Sequence, residues 1–122
     1  MLLTRYLAAL GLTLAVEVPL YTLALRGSWR VPVRRAVTLA VAVNLATHPV
    51  LWWALVPWTG RPWYPVAVGV AEMLACGVEW LLLRHRLGLR TPGLALAVVG
   101  VNAVSVAAGL ASLLVSGGSG TS

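Results

Sequence analysis

Four long apolar runs, separated only by short breaks rich in Arg, Gly and Pro, decide what this chain can become. The runs span residues 3–25, 36–56, 64–83 and 93–115. Each supplies the roughly 20 apolar residues that a helix needs to cross the bilayer at about 1.5 Å per residue. A helix satisfies its own backbone N–H and C=O groups, as the hydrocarbon requires. The breaks at 26–32, 57–62 and 84–92 are short, so consecutive helices must be antiparallel neighbours. The expected fold is all-α: a polytopic, antiparallel four-transmembrane-helix bundle in one domain over residues 1–115. The tail, 116–122, contains only Gly, Ser and Thr and is expected to be flexible.

Composition removes the soluble alternative. Hydrophobic residues make up 60% of the 122 and charged residues 10%. A soluble domain this small leaves too much of its chain exposed to hide that apolar surface. The first run has the position of a secretory leader. Its n-region carries only Arg5, however, and Glu17 and Pro19 interrupt the apolar stretch, so it reads as a retained helix. Cys76 is the single cysteine and forms no internal disulfide, which excludes thiol oxidoreductases that need paired cysteines.

The net charge of +6 would suggest nucleic acid in a soluble protein. Here no nucleic-acid partner is expected, because the nine basic residues, all Arg, mostly flank the apolar runs. Arg26, Arg30, Arg34, Arg35, Arg84, Arg86 and Arg90 fall on one side, and Arg5 and Arg61 on the other. The positive-inside rule then puts the first and third loops in the cytoplasm and both termini outside. The Lys-free, Ala/Leu/Val/Gly/Arg-heavy composition suits a high-GC bacterial genome, hence a bacterial cytoplasmic (inner) membrane. Trp52, Trp53, Trp58, Trp63 and Tyr64 surround the second loop as an interfacial aromatic belt, with Trp29 and Trp80 near the opposite face.

All three acidic residues lie inside the apolar runs. Glu17 is in the first, and Glu72 and Glu79 are in the third. The second run carries Asn44, Thr47 and His48, and the fourth Asn102 and Ser105. Thr13, Glu17 and Tyr21 share one helical face. So do Asn44, Thr47, His48 and Trp52; then Glu72, Cys76 and Glu79; and Asn102, Ser105, Gly109 and Ser112. These stripes are expected to face one another. Counted from the run midpoints, Asn44, His48, Glu72, Asn102 and Ser105 fall within about 3 Å of the bilayer centre. Glu17 falls about 5 Å and Glu79 about 8 Å toward the arginine-rich side.

A charged side chain at a helix centre costs about 2.5–3.5 kcal/mol, so three carboxylates left to themselves would cost on the order of 8–10 kcal/mol. They must be protonated, hydrogen-bonded, hydrated or bound to a cation. No Arg lies at their depth, and His48 is the one candidate internal cation. The sharper expectation is a cation-binding or proton-handling site of Glu17, His48, Glu72 and Glu79, supported by Asn44, Thr47, Asn102 and Ser105. As a metal site its mixed oxygen and imidazole donors suit divalent Zn, Mn or Fe. The plainer expectation is a small membrane subunit or scaffold whose polar residues only specify helix packing. That explains Asn102 and Ser105 well and three acids poorly, since Asn or Gln would bond at lower cost. A third reading is an intramembrane metal-dependent hydrolase with Glu72 as base and His48 as ligand. Haem ligation by His48 and His85 fails, because the two lie roughly 15–18 Å apart in depth. Pro19 and Pro49 either kink their helices for packing or free carbonyls beside Glu17 and His48. Beyond the lipid bilayer, a membrane-protein partner and a second copy both stay open.

The combined pattern resembles a group of small, uncharacterised bacterial four-helix integral membrane proteins. The elements that carry the resemblance are Glu17-Val18-Pro19, Asn44-Leu45-Ala46-Thr47-His48-Pro49 with Trp52, the pair Glu72 and Glu79, and Asn102-Ala103-Val104-Ser105. The resemblance implies the same fold over nearly the whole chain and implies no reaction.

The arginine count makes the topology testable. Reporters fused after Ser122 should be active only when exported. Activity of a cytoplasm-dependent reporter at that position would reverse the orientation.

Overall fold

The structure is a computed structural model that describes residues 2–118. It contains α1 (Leu2–Trp29), α2 (Val33–Leu55), a short 3₁₀ turn (Val56–Trp58), α3 (Tyr64–Leu87) and α4 (Pro92–Gly118). The four-helix, all-α bundle expected from the apolar runs is the observed architecture, and all four helices are long and apolar enough to cross a membrane. The protein is a multi-pass integral membrane protein.

The helices outrun the apolar segments at most ends. α1 continues through Arg26 to Trp29, α2 begins at Val33 ahead of Arg34 and Arg35, and α3 continues through Arg84 to Leu87. Hydropathy marks where lipid begins, not where helical hydrogen bonding stops. α4 continues through Ser116 to Gly118, so the first part of the expected tail is helical. The rest of that tail, 119–122, lies outside the described residues.

Local chemistry closes the helices. α1 ends on paired backbone bonds, Arg30 N–H to the Arg26 carbonyl at 3.0 Å and Val31 N–H to the Leu25 carbonyl at 3.2 Å. These bonds are one residue wider than a Schellman pair, and as there the chain turns through a left-handed residue, a place usually taken by Gly. Arg30 occupies that place at φ 54°, a conformation that costs a side-chain-bearing residue about 1–2 kcal/mol. Gly88 closes α3 at φ 66° without that cost. Pro32 precedes α2, and Pro65 lies in the first turn of α3, where a missing N–H breaks no helical bond.

Each helix packs on its chain neighbours, and α4 returns to α1, so the bundle is a closed square. α1 and α3 occupy opposite corners. Packing is uneven along the axis. Leu25, Ala36, Ala40, Leu83, Leu94 and Val98 are buried, and all lie toward the arginine-rich end. The small side chains of Ala36 and Ala40 let the helices approach closely there. Gly93 helps in the same way, since a Cβ at that position would stand 3.4 Å from the Trp29 ring. Among the residues whose burial is described, none in 3–16, 48–74 or 103–112 is buried. The bundle is tight at the arginine-rich end and loose at the end that bears the termini.

Candidate functional site

The polar residues collect where the tight half meets the loose half. Measured along each helix from the arginine-rich end, Tyr21 and Glu79 lie at about 12 Å, Asn102 at about 15 Å, Asn44 at about 16 Å and Glu17 at about 18 Å. Glu72 and His48 follow at about 22 Å. Glu17, Tyr21, Asn44, Glu79 and Asn102 are each at most 5% exposed, so the bundle encloses them although no backbone bond requires it.

One hydrogen-bond chain crosses the interior. The Tyr21 hydroxyl on α1 donates to Glu79 Oε1 on α3 at 3.0 Å. Asn102 Nδ2 on α4 donates to the Tyr21 oxygen at 3.2 Å and to the Val98 carbonyl at 2.9 Å. Tyr21 is therefore both acceptor and donor, and the chain spans the α1–α3 diagonal. Asn44 and Thr47 behave differently. Asn44 Nδ2 donates to the Ala40 carbonyl at 2.8 Å, and the Thr47 hydroxyl donates to the Val43 carbonyl at 2.9 Å. Both spend these bonds on their own helix, one turn back.

Glu17 faces this chain from α1. Its charged neighbours are Glu79 and Glu72, and Asn44 and Ser105 lie beside it. Cys76, half-buried on α3, has the same three carboxyl groups as its charged neighbours. Three acids from two opposite helices thus share one region. Glu17 Oε2 is fully buried and has no hydrogen-bond partner among the described residues. A buried oxygen left like this costs about 1–3 kcal/mol, more if it is ionised.

His48 belongs to a second group, nearer the termini. Its ring stacks on Tyr6 of α1, with centroids 6.3 Å apart and planes at 16°. Trp52 and Trp53 pack on the same Tyr6 ring at 5.8 and 5.9 Å. His48 Nε2 and Trp52 Nε1 are buried without a partner among the described residues. Glu72 and Ser105 are half-buried, and His85 is exposed at the end of α3. Among the described residues, no three His, Cys, Asp or Glu side chains are gathered closely enough to hold a metal ion.

Buried Tyr21 and half-buried Tyr6 are the residues that sequence reasoning left out of the candidate site. Tyr21 was legible as the next position on the Glu17 stripe. Tyr6 had no signal, because its role depends on which aromatics of α2 arrive at its level.

No protein-family model, no curated protein and no solved structure matches the chain.

Tyr21→Phe removes one oxygen, takes the donor from Glu79 Oε1 and leaves Asn102 Nδ2 only its bond to the Val98 carbonyl. Interhelical hydrogen bonds in membrane proteins average about 0.6 kcal/mol, but a stranded buried acceptor raises the cost, so a loss of about 1–2 kcal/mol is expected. Thr47→Val, which loses only a bond within its own helix, should cost clearly less. Reversible unfolding in mixed micelles compares the two, and equal losses would contradict the cross-bundle role of Tyr21.

Proposed function

We propose that this integral membrane protein handles protons, with Glu17 and Glu79 holding an exchangeable proton at the centre of the bundle. The observation that carries the reading is the enclosure of Glu17 and Glu79 in one region with Glu72 half-buried beside it, and with one oxygen of Glu17 buried and unpartnered among the described residues. Gln would fill the same space, bond to the same neighbours and avoid the cost of an ionisable group. What Glu adds is a proton that can be taken up and passed on. Glu72 lies on the loose side of the cluster and is the entry group. Tyr21 and Asn102 orient the Glu79 carboxyl.

The apolar layer of Leu25, Ala36, Ala40, Leu83, Leu94 and Val98 separates these carboxyls from the arginine-rich end. On this reading the proton reaches the site from the terminus-bearing side, where the helices carry few buried residues. Passage across the membrane then requires that layer to part, a motion of packed helices rather than of single side chains. With the arginine-rich end in the cytoplasm of a bacterial inner membrane, as arginine counting indicates, protons enter from outside. The proton reading is preferred to the Zn, Mn or Fe reading because His48 is engaged with Tyr6 and no three-ligand group is assembled among the described residues.

A second reading, a subunit whose polar residues only set helix packing, draws on the Asn102–Tyr21–Glu79 chain. It leaves Glu17 without a purpose. Proteoliposomes carrying an internal pH dye separate the two under an imposed potassium diffusion potential. Wild-type protein should pass protons faster than protein-free vesicles, and Glu17→Gln and Glu79→Gln, folded by circular dichroism, should fall to the protein-free rate. Wild-type flux at the protein-free rate, or unchanged flux in both variants, would leave packing as the role of the cluster.

A further inference from the structure

The arginine-rich end carries more charge than topology alone uses. Arg26, Arg30, Arg34, Arg35, Arg84, Arg86 and Arg90 all lie there, and the three acids of the chain are all buried in the bundle interior or half-way along it. No carboxylate of this chain offsets them at that face. Over the whole face two negative and two positive helix ends nearly cancel, but the last turn of α3 is locally negative, so an anion beside it is held by the arginines against that end.

Two of the arginines are already engaged. Arg35 donates to the Arg86 carbonyl at 2.7 Å and so ties the start of α2 to the end of α3. The Arg84 guanidinium lies 5.1 Å from the centre of the Trp80 ring, which holds it in place while its N–H groups stay free to turn outward. Beside it is a recess of about 340 Å³, lined by Leu81, Arg84, His85, Gly88 and Arg90. Leu81, Arg84, His85 and Gly88 recur at three- and four-residue spacing, so they form one column down one face of α3. The column runs from an exposed leucine at lipid level, through two nitrogen donors, to a glycine with no side chain to fill the space. The left-handed turn at Gly88 then brings Arg90 back to the same recess.

We infer that this recess binds the phosphate of an anionic phospholipid, with an acyl chain lying along Leu81. The positive-inside rule asks only for arginines in the loops. It does not ask that donors from α3 and the following loop converge on a concavity with an apolar wall. Arg84 and Arg90 supply guanidinium forks, whose planar donors match phosphate oxygens, and His85 supplies a ring N–H. The site is separate from the carboxylate cluster and does not depend on proton handling.

Native mass spectrometry of the full chain, released from micelles doped with phosphatidylglycerol or with phosphatidylcholine of the same acyl chains, tests it. Phosphatidylglycerol should be retained and phosphatidylcholine should not. Each arginine near a membrane surface is worth about fivefold in affinity for an anionic lipid, so Arg90→Gln should weaken retention about fivefold and Arg84→Gln/Arg90→Gln roughly thirtyfold. Arg26→Gln/Arg30→Gln removes the same charge from the first loop and should do less than Arg90→Gln alone. Excess inorganic phosphate should not displace the lipid, because it lacks the acyl chain. If Arg84→Gln unfolds through loss of the Trp80 contact, Arg90→Gln, at an exposed position, decides alone. Equal retention of the two lipids would overturn the inference. So would equal damage from the first-loop pair, or displacement by inorganic phosphate.

Discussion

The 3.0 Å hydrogen bond between Tyr21 and Glu79 joins the two helices that stand at opposite corners of the bundle. Neighbouring helices are held by side-chain packing, and lipid on the outside competes with that packing because it is equally apolar. A polar bond across the diagonal has no such competitor. Its partners would otherwise sit unsatisfied in hydrocarbon. Asn102 completes the arrangement by donating to the same tyrosine oxygen, which brings a third helix to the same level. That one hydroxyl therefore ties side chains of α1, α3 and α4 together at one level.

The uneven packing gives the cluster its direction. Below Tyr21, toward the arginines, buried Leu, Val and Ala fill the space between helices. Above Thr47 the helices lose their buried residues, and the aromatic group around Tyr6 joins α1 to α2. Regions with few buried contacts open at low free-energy cost, whereas well-packed ones resist opening. Carboxyls at the boundary are thus beside a part that opens easily and behind a part that does not. On the proposed reading, a site reached from one side at a time is the arrangement that regulated movement of a proton requires. The arginine-rich end is the rigid platform for this, held by the Arg35–Arg86 tie and the Arg84–Trp80 stack.

The helices themselves were legible because lipid imposes one pattern, an apolar run of spanning length. Their ends were less so. The turns bearing Arg26, Arg34 and Arg84 remain helical, although a hydropathy reading stops before them. Helical spacing placed Glu17, Asn44, Glu79 and Asn102 on stripes, and those side chains are buried. Spacing within one helix cannot say which residue of another helix meets it. Tyr21 stood one turn beyond Glu17 with nothing to mark Glu79 as its acceptor. The pairing of His48 with Tyr6, and the back-bonding of Asn44 and Thr47 to their own helix, likewise depend on rotations and rotamers that a linear pattern does not record. The tightness of one half and looseness of the other are collective packing properties, and both halves read as equally apolar.

The most direct measurement of the central claim is the infrared spectrum of the Glu79 carboxyl group. Its band is the one that Glu79→Gln removes from the wild-type spectrum. A hydrogen bond from Tyr21 lowers the stretching frequency of the carboxyl oxygen that accepts it. The account predicts that Tyr21→Phe shifts that band, and that the same substitution made in the Glu79→Gln background changes no carboxyl band at that position. A Glu79 band found at the same frequency with and without the Tyr21 hydroxyl would contradict the account, because the two side chains would then not be bonded across the bundle.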